Sequence, residues 1–71
     1  MANKLTLKQL TEFLYKFEHS RLEYPDWREG QRFFNLLNEY YNELSEEIRG
    51  TEVDPFYNDK NIKYCISYIL E

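Results

Sequence analysis

The chain has 71 residues, 18% of them aromatic, and a formal net charge of −4. We expect residues 1–71 to form a single domain, because a chain of this length buries only about 60% of its unfolded surface and has no room for a deep substrate cleft. The acidic balance also argues against binding to a nucleic-acid backbone, which depends on clustered lysine and arginine.

Cysteine content and hydropathy indicate the compartment. Cys65 is the only cysteine in the chain, which excludes an intramolecular disulfide and fits a reducing environment. No stretch approaches the roughly 18 apolar residues of a membrane span, and no long apolar run follows the N-terminus. We therefore expect a cytoplasmic protein that is neither exported nor inserted into a membrane.

The first helix is predicted from Leu7 to Ser20. Thr6 and Gln9 match a capping box, in which a hydroxyl group is followed three residues later by an amide side chain. Apolar residues then recur at helical spacing, namely Leu7, Leu10, Phe13, Leu14 and Phe17.

The second helix is predicted over residues 26–49. Pro25 disfavours helix at the residue before it, and Asp26 with Glu29 repeats the capping pattern. Gly50 can adopt the left-handed conformation that ends many helices.

The apolar face of this second helix is very wide. Its members are Trp27, Phe33, Phe34, Leu36, Leu37, Tyr40, Tyr41, Leu44 and Ile48. They cover about half of the circumference, whereas one packing contact needs a stripe of roughly 100°. Such a helix needs two neighbouring elements or a partner. Because Asn42 is a weak helix former, we expect a bend or a break near it.

A loop with aromatic side chains follows. Asp54 and Pro55 form a turn initiator, and Phe56 and Tyr57 place two large rings where polar residues are usual. We predict that Phe56 or Tyr57 inserts between helices and that Asp54 bonds the local backbone. The loop from Asp54 to Tyr57 is then a structural clamp.

The third helix is predicted over residues 59–70, with Asn58 or Asp59 as its cap. Its apolar face consists of Ile62, Cys65, Ile66 and Ile69. All three segments share the same 3,4 spacing, which predicts an all-α fold, a small three-helix bundle. The residues expected to be buried together are Phe17, Phe34, Leu37, Tyr41, Ile62 and Ile66.

Two spaced patterns stand out between Trp27 and Asp59. They are Trp27-Arg28-x-Gly30-Gln31-x-x-Phe34-Asn35-x-Leu37 and Ile48-Arg49-Gly50-Thr51-x-x-Asp54-Pro55-Phe56-Tyr57-x-Asp59. Over roughly Pro25 to Leu70, they resemble a group of short, uncharacterised phage and prophage proteins. The resemblance implies a phage setting and no mechanism, because no activity is established for that group.

Carboxamide side chains form a stripe along the second helix. They can hold a neighbouring loop or grip the main chain of a partner. We interpret Gln31 and Asn35 as holding the loop that follows the helix, and Asn38 and Asn42 as solvated. Gly30 indicates the close approach of another backbone, since glycine costs a helix about 1 kcal/mol relative to alanine.

No arrangement of residues indicates catalysis or a bound cofactor. His19 is the only histidine, and no nucleophile or orienting partner can be identified for it. Cys65 lies among isoleucines and is expected to be a buried small hydrophobe. The carboxylates between residues 39 and 59 match no calcium loop and are interpreted as a solvated face. We expect a non-enzymatic protein without a metal or cofactor.

A partner surface is predicted on the solvent side of the second helix. It consists of Phe33, Leu36 and Tyr40, with a charged border of Arg32, Glu39 and Glu43. Other aromatic side chains expected to lie partly outside the core are Tyr15, Tyr24, Tyr57, Tyr64 and Tyr68.

The leading interpretation of the sequence is a phage-type protein-binding module that modulates or inhibits a host or defence protein. Self-assembly is an alternative, because the same ridge could close a homodimer by helix pairing. Nucleotide or nucleic-acid binding is a further alternative, with tyrosine rings stacking on bases and Arg28, Arg32 and Arg49 meeting phosphate.

Overall fold

The computed structural model describes residues 3–71, which form an all-α fold. Within this range there are four α-helices, and a 3-10 turn at Asp59–Asn61 precedes the last of them. The helices are α1 (Leu7–Ser20), α2 (Glu29–Tyr40), α3 (Asn42–Ile48) and α4 (Ile62–Ile69). The predicted helical class is confirmed, whereas the number of helices is four and not three. No helix in the described part of the chain is long and apolar enough to cross a membrane.

Helix α1 has the predicted bounds and the predicted cap. The Thr6 hydroxyl accepts a hydrogen bond from the Gln9 backbone N–H at 3.2 Å, and the Gln9 side chain accepts one from the Thr6 N–H at 2.9 Å. Both orphan N–H groups are thereby satisfied within one turn. The helix buries Leu10, Phe13 and Phe17.

Helix α2 begins three residues later than predicted. Residues before it form turns, in which the Trp27 N–H donates to the Tyr24 carbonyl and the two rings stack with centroids 4.1 Å apart. The N-cap is Arg28, whose side chain makes no capping bond. The predicted cap by Asp26 and Glu29 is therefore wrong.

The predicted break of the long helix is confirmed and lies at Tyr41. This residue has φ −141° and ψ 65°, so that α2 ends at Tyr40 and α3 begins at Asn42. The Asn38 side-chain oxygen accepts hydrogen bonds at 2.8 Å from the Asn42 amide and from the Ser45 hydroxyl. Asn38 and Asn42 thus support the junction between the helices, and the prediction that they are simply solvated is wrong.

The core explains the wide apolar face. Phe33 of α2 meets the rings of Phe13 and Phe17 edge-on, with centroids 5.2 and 5.1 Å apart. Other fully buried residues of the core include Leu5, Leu37, Leu44, Ile48, Cys65 and Ile69. Of the six residues predicted to share the core, three are buried (Phe17, Phe34, Leu37) and three are half-buried against it (Tyr41, Ile62, Ile66).

The two ends of the described chain are joined by a short parallel β-bridge between Leu5 and Leu70. The Leu5 N–H donates to the Ile69 carbonyl, and the Glu71 N–H donates to the Leu5 carbonyl, both at 2.7 Å. Leu5 itself is buried. This bridge fixes the C-terminal end of α4 beside the start of α1.

Candidate functional site

The structure places the predicted partner residues in two different environments. Phe33 is 0% exposed and Leu36 is 6% exposed, so the prediction that they lie on the solvent side of helix two is wrong. Their side of α2 packs against α1, where Phe33 contacts Phe13 and Phe17. Of the predicted apolar ridge only Tyr40 reaches solvent, at 46% exposure, and Glu39 and Glu43 are exposed as well.

Arg32 is also buried, although the sequence suggested a place in the charged border. It is 5% exposed, and its guanidinium carbon lies 4.5 Å from the centroid of the Phe17 ring. The Arg32 Nε atom has no hydrogen-bond partner among residues 3–71. Stacking on an aromatic face offsets part of the cost of burying the guanidinium group.

A groove between α1 and α2 contains Leu36, Glu39 and Tyr40 of the predicted surface, whereas Glu43 lies outside it. Its volume is about 400 Å³, and we call it the α1–α2 groove. Its lining residues are Tyr15, Lys16, His19, Ser20, Glu23, Tyr24, Leu36, Glu39 and Tyr40. The buried side chain of Leu36 therefore contributes to a concave surface, with Glu39 and Tyr40 on the same helix.

Aromatic side chains in the groove are held by neighbours. The Tyr15 and His19 rings are 4.2 Å apart, and His19 Nδ1 lies 3.0 Å from the Tyr15 carbonyl oxygen. Tyr24 is stacked on Trp27. The Lys16 ammonium lies over the Tyr40 ring, 4.3 Å from its centroid. Tyr15 is 67% exposed, so its face is accessible to a ligand.

Two carboxylates, those of Glu23 and Glu39, line the groove together with Tyr24. Proximity to Glu23, whose carboxylate can accept a hydrogen bond from the phenol, raises the pKa of Tyr24 above its ordinary value, and the charge of Glu39 adds to the effect. The raised pKa extends the pH range over which the Tyr24 hydroxyl keeps its proton and can donate a hydrogen bond.

In the loop after α3, the acidic residue makes the contacts that were predicted for the clamp. Asp54 accepts hydrogen bonds from the backbone N–H of Gly50 at 2.7 Å and of Phe56 at 2.9 Å, which confirms that it bonds the local backbone. Pro55 is buried. Phe56 is half-buried and meets the Phe34 ring edge-on, with centroids 5.8 Å apart.

Other contacts of this loop differ from the predicted ones. Tyr57 points outward at 85% exposure, so Phe56 is the ring that packs inside. Gln31 and Asn35 make no side-chain hydrogen bond to the loop within residues 3–71, and the prediction that they hold it is wrong. The loop is joined to α2 by Arg28, which donates to the Phe56 carbonyl oxygen.

Gly30 marks the close approach that the sequence suggested. Its N–H donates to Asp59 Oδ1 at 2.9 Å. A methyl group at this position would overlap the Pro55 carbonyl oxygen and lie 2.8 Å from that Asp59 oxygen. The backbone of the clamp therefore rests directly on the first turn of α2.

Cys65 is completely buried, which confirms the expectation of a small hydrophobe. Burial raises the pKa of its thiol to about 12. Since the thiolate is the reactive form, the position is suited to packing and not to nucleophilic chemistry.

Comparisons with protein-family models, with curated proteins and with solved structures found no significant match to this chain.

Proposed function

We propose that this chain is a small protein-binding module that contacts its partner through the α1–α2 groove. The observation that carries the proposal is the accessible tyrosine surface of the groove, with Tyr15 and Tyr40 beside the concave floor formed by Leu36. In the setting that the phage resemblance implies, the module modulates or inhibits a host or defence protein.

Tyrosine is suited to such a surface because it combines a large apolar ring with a polar hydroxyl group and loses little conformational entropy on binding. The Tyr24 ring already stacks on Trp27, and the Tyr15 ring lies tilted against His19. A partner would therefore meet side chains that are partly ordered in advance, which reduces the entropic cost of association.

The other two interpretations of the sequence have less support. A homodimer through the second helix required an exposed ridge, but Phe33 and Leu36 are in the core. Phosphate binding required accessible arginines near the tyrosines. Arg32 is buried, and the exposed Arg28 and Arg49 lie outside the groove and are paired with Asp59 and Glu46.

The test is a pair of double variants used as bait in a lysate of the natural host, followed by calorimetry with the identified partner. Tyr15→Ser with Tyr40→Ser should abolish capture, because both accessible rings of the groove are lost. Tyr57→Ser with Tyr64→Ser is the matched control, since these tyrosines are exposed elsewhere and should leave capture unchanged.

Circular dichroism of both double variants checks that the helices are retained. Equal capture by the two variants would refute the groove as the binding surface. A concentration-dependent dimer in sedimentation that is abolished only by the groove variant would identify a second copy of the chain as the occupant.

A further inference from the structure

The α1–α2 groove carries an excess of negative charge. Glu23 and Glu39 line it, and neither makes an ion pair with any residue from 3 to 71. Among the lining residues, only Lys16 carries a full positive charge. An unpaired carboxylate near aromatic faces attracts a cationic group more strongly than an anionic one.

Lys16 shows how the groove holds a cation. Its ammonium group lies over the face of Tyr40, 4.3 Å from the ring centroid, in a cation–π contact. Lys16 is exposed and reaches the ring through a flexible four-carbon stem. It is therefore an internal occupant of the Tyr40 face that a cation from a partner can displace.

The remaining features fit a planar cation better than a compact one. Guanidinium stacks on aromatic faces and donates paired hydrogen bonds to carboxylates, whereas ammonium acts as a strongly hydrated point charge. The groove offers the exposed rings of Tyr15 and Tyr40 for stacking and the carboxylates of Glu23 and Glu39 for pairing.

We propose that the α1–α2 groove binds an arginine side chain from a basic segment of the partner protein, with Glu23 and Glu39 as hydrogen-bond acceptors and Tyr15 and Tyr40 as stacking faces. This inference rests on the proposed function and adds the chemical class of the partner. The arginine replaces Lys16 on the Tyr40 ring when it binds.

A binding experiment with short probes tests the chemistry on the pure protein. The probes are capped pentapeptides of the sequence Gly-X-Gly-X-Gly, where X is arginine, lysine or neutral citrulline, and amide chemical shifts are followed by NMR. The arginine peptide should shift the amides of the groove, the lysine peptide should bind several-fold more weakly, and the citrulline peptide should not bind. Equal binding of the citrulline or lysine peptide, shifts elsewhere, or no binding would overturn the proposal.

Charge-matched variants test the acceptors. Glu23→Gln with Glu39→Gln should weaken binding of the arginine peptide by about tenfold or more. The control is Glu43→Gln with Glu52→Gln, which changes the net charge equally at exposed positions outside the groove. Equal losses in both variants would mean that only net charge attracts the peptide, and would overturn the proposal.

The Lys16→Gln variant should change the affinity for the arginine peptide in the opposite direction. Removing the internal ammonium frees the Tyr40 face and removes a like charge, so the arginine peptide should bind a few-fold more tightly. Unchanged or weaker binding would contradict the displacement step.

The failure of this inference is distinguishable from that of the proposed function. If the protein partner is captured through Tyr15 and Tyr40 but binds the Glu23→Gln, Glu39→Gln variant with undiminished affinity, the arginine assignment fails while the groove remains the binding surface. If the arginine peptide binds in the groove but substitution of Tyr15 and Tyr40 leaves partner capture unchanged, the proposed function fails.

Discussion

At Gly30 the clamp lies so close to α2 that the usual effect of changing a helical glycine to alanine is reversed. Replacing a glycine inside a helix with alanine usually stabilises the helix by about 1 kcal/mol. At Gly30 the added methyl group would overlap the Pro55 carbonyl oxygen and crowd Asp59. We expect Gly30→Ala to lower the free energy of unfolding by about 1–3 kcal/mol, the usual cost of overpacking.

Urea denaturation of the purified variant measures this change. Ser67→Ala is the control, because Ser67 is exposed in α4 and gains only helix propensity, about 0.5 kcal/mol. If Gly30→Ala were as stable as Ser67→Ala, the contact between the clamp and α2 would not be as close as described.

The buried thiol of Cys65 should be chemically silent in the native state. With a pKa of about 12, its thiolate fraction at pH 8 is very small. We expect a disulfide reagent such as dithionitrobenzoate to react about a thousandfold more slowly with the native protein than with the protein in urea. Rapid modification of the native protein at pH 8 would contradict the burial of this thiol.

The same shift makes stability depend on pH. Between pH 9 and 12 the unfolded chain loses the Cys65 proton while the folded chain keeps it, so the thiol's contribution to stability is full below pH 9 and is lost as the pH rises. The free energy of unfolding should therefore fall more steeply above pH 9 in the wild type than in Cys65→Ala. Parallel curves for the two proteins would contradict the raised pKa.

Single residues also show where periodicity is informative and where it is not. The spacing of Phe33 and Leu36 identified an apolar face on α2, and that face exists. Periodicity could not tell whether one or two neighbours cover such a face, because the answer depends on the path of α1 and of the later loop. Cys65 was simpler to predict, since isoleucines flank it on a single narrow face.

Capping distinguishes two kinds of helix start. At α1 the cap is local, because Thr6 and Gln9 are three residues apart and satisfy each other. At α2 the partner of the Gly30 N–H is Asp59, which lies 29 residues further along the chain. A short sequence window predicts the first cap and cannot contain the second.

Asp59 should therefore matter more to α2 than the local candidate Asp26. We expect Asp59→Ala to lower the free energy of unfolding by about 1–2 kcal/mol, the usual cost of losing a helix cap. Its ion pair with Arg28, at 3.9 Å and half-exposed on both sides, adds little. Thermal denaturation followed by circular dichroism measures the change.

Asp26→Ala is the matched control, since Asp26 is exposed and lies before the first turn of α2. This change should stay within about 0.5 kcal/mol of the wild type. If Asp26→Ala lost more stability than Asp59→Ala, the cap of α2 would be Asp26 and not Asp59.

At the scale of the whole molecule, the fold class followed from local patterns, whereas the groove did not. Tyr15, Tyr24 and Tyr40 were each recognisable as side chains outside the core, and the structure brings them together with Glu23 and Glu39. Their meeting depends on the turn at residues 21–28, whose stacked Tyr24 and Trp27 rings leave no periodic signal. The sequence thus predicted the components of the site and not their arrangement.

The β-bridge between Leu5 and Leu70 makes the folded chain nearly a closed ring. Joining Asn3 to Glu71 through a short glycine linker would close that ring covalently with little change in the native structure. The unfolded chain would lose much of its freedom, and loop-closure entropy puts the resulting stabilisation at about 4 kcal/mol. Backbone cyclisation should therefore raise the melting temperature markedly, whereas the linear protein with the same linker attached at one end should melt as the wild type does.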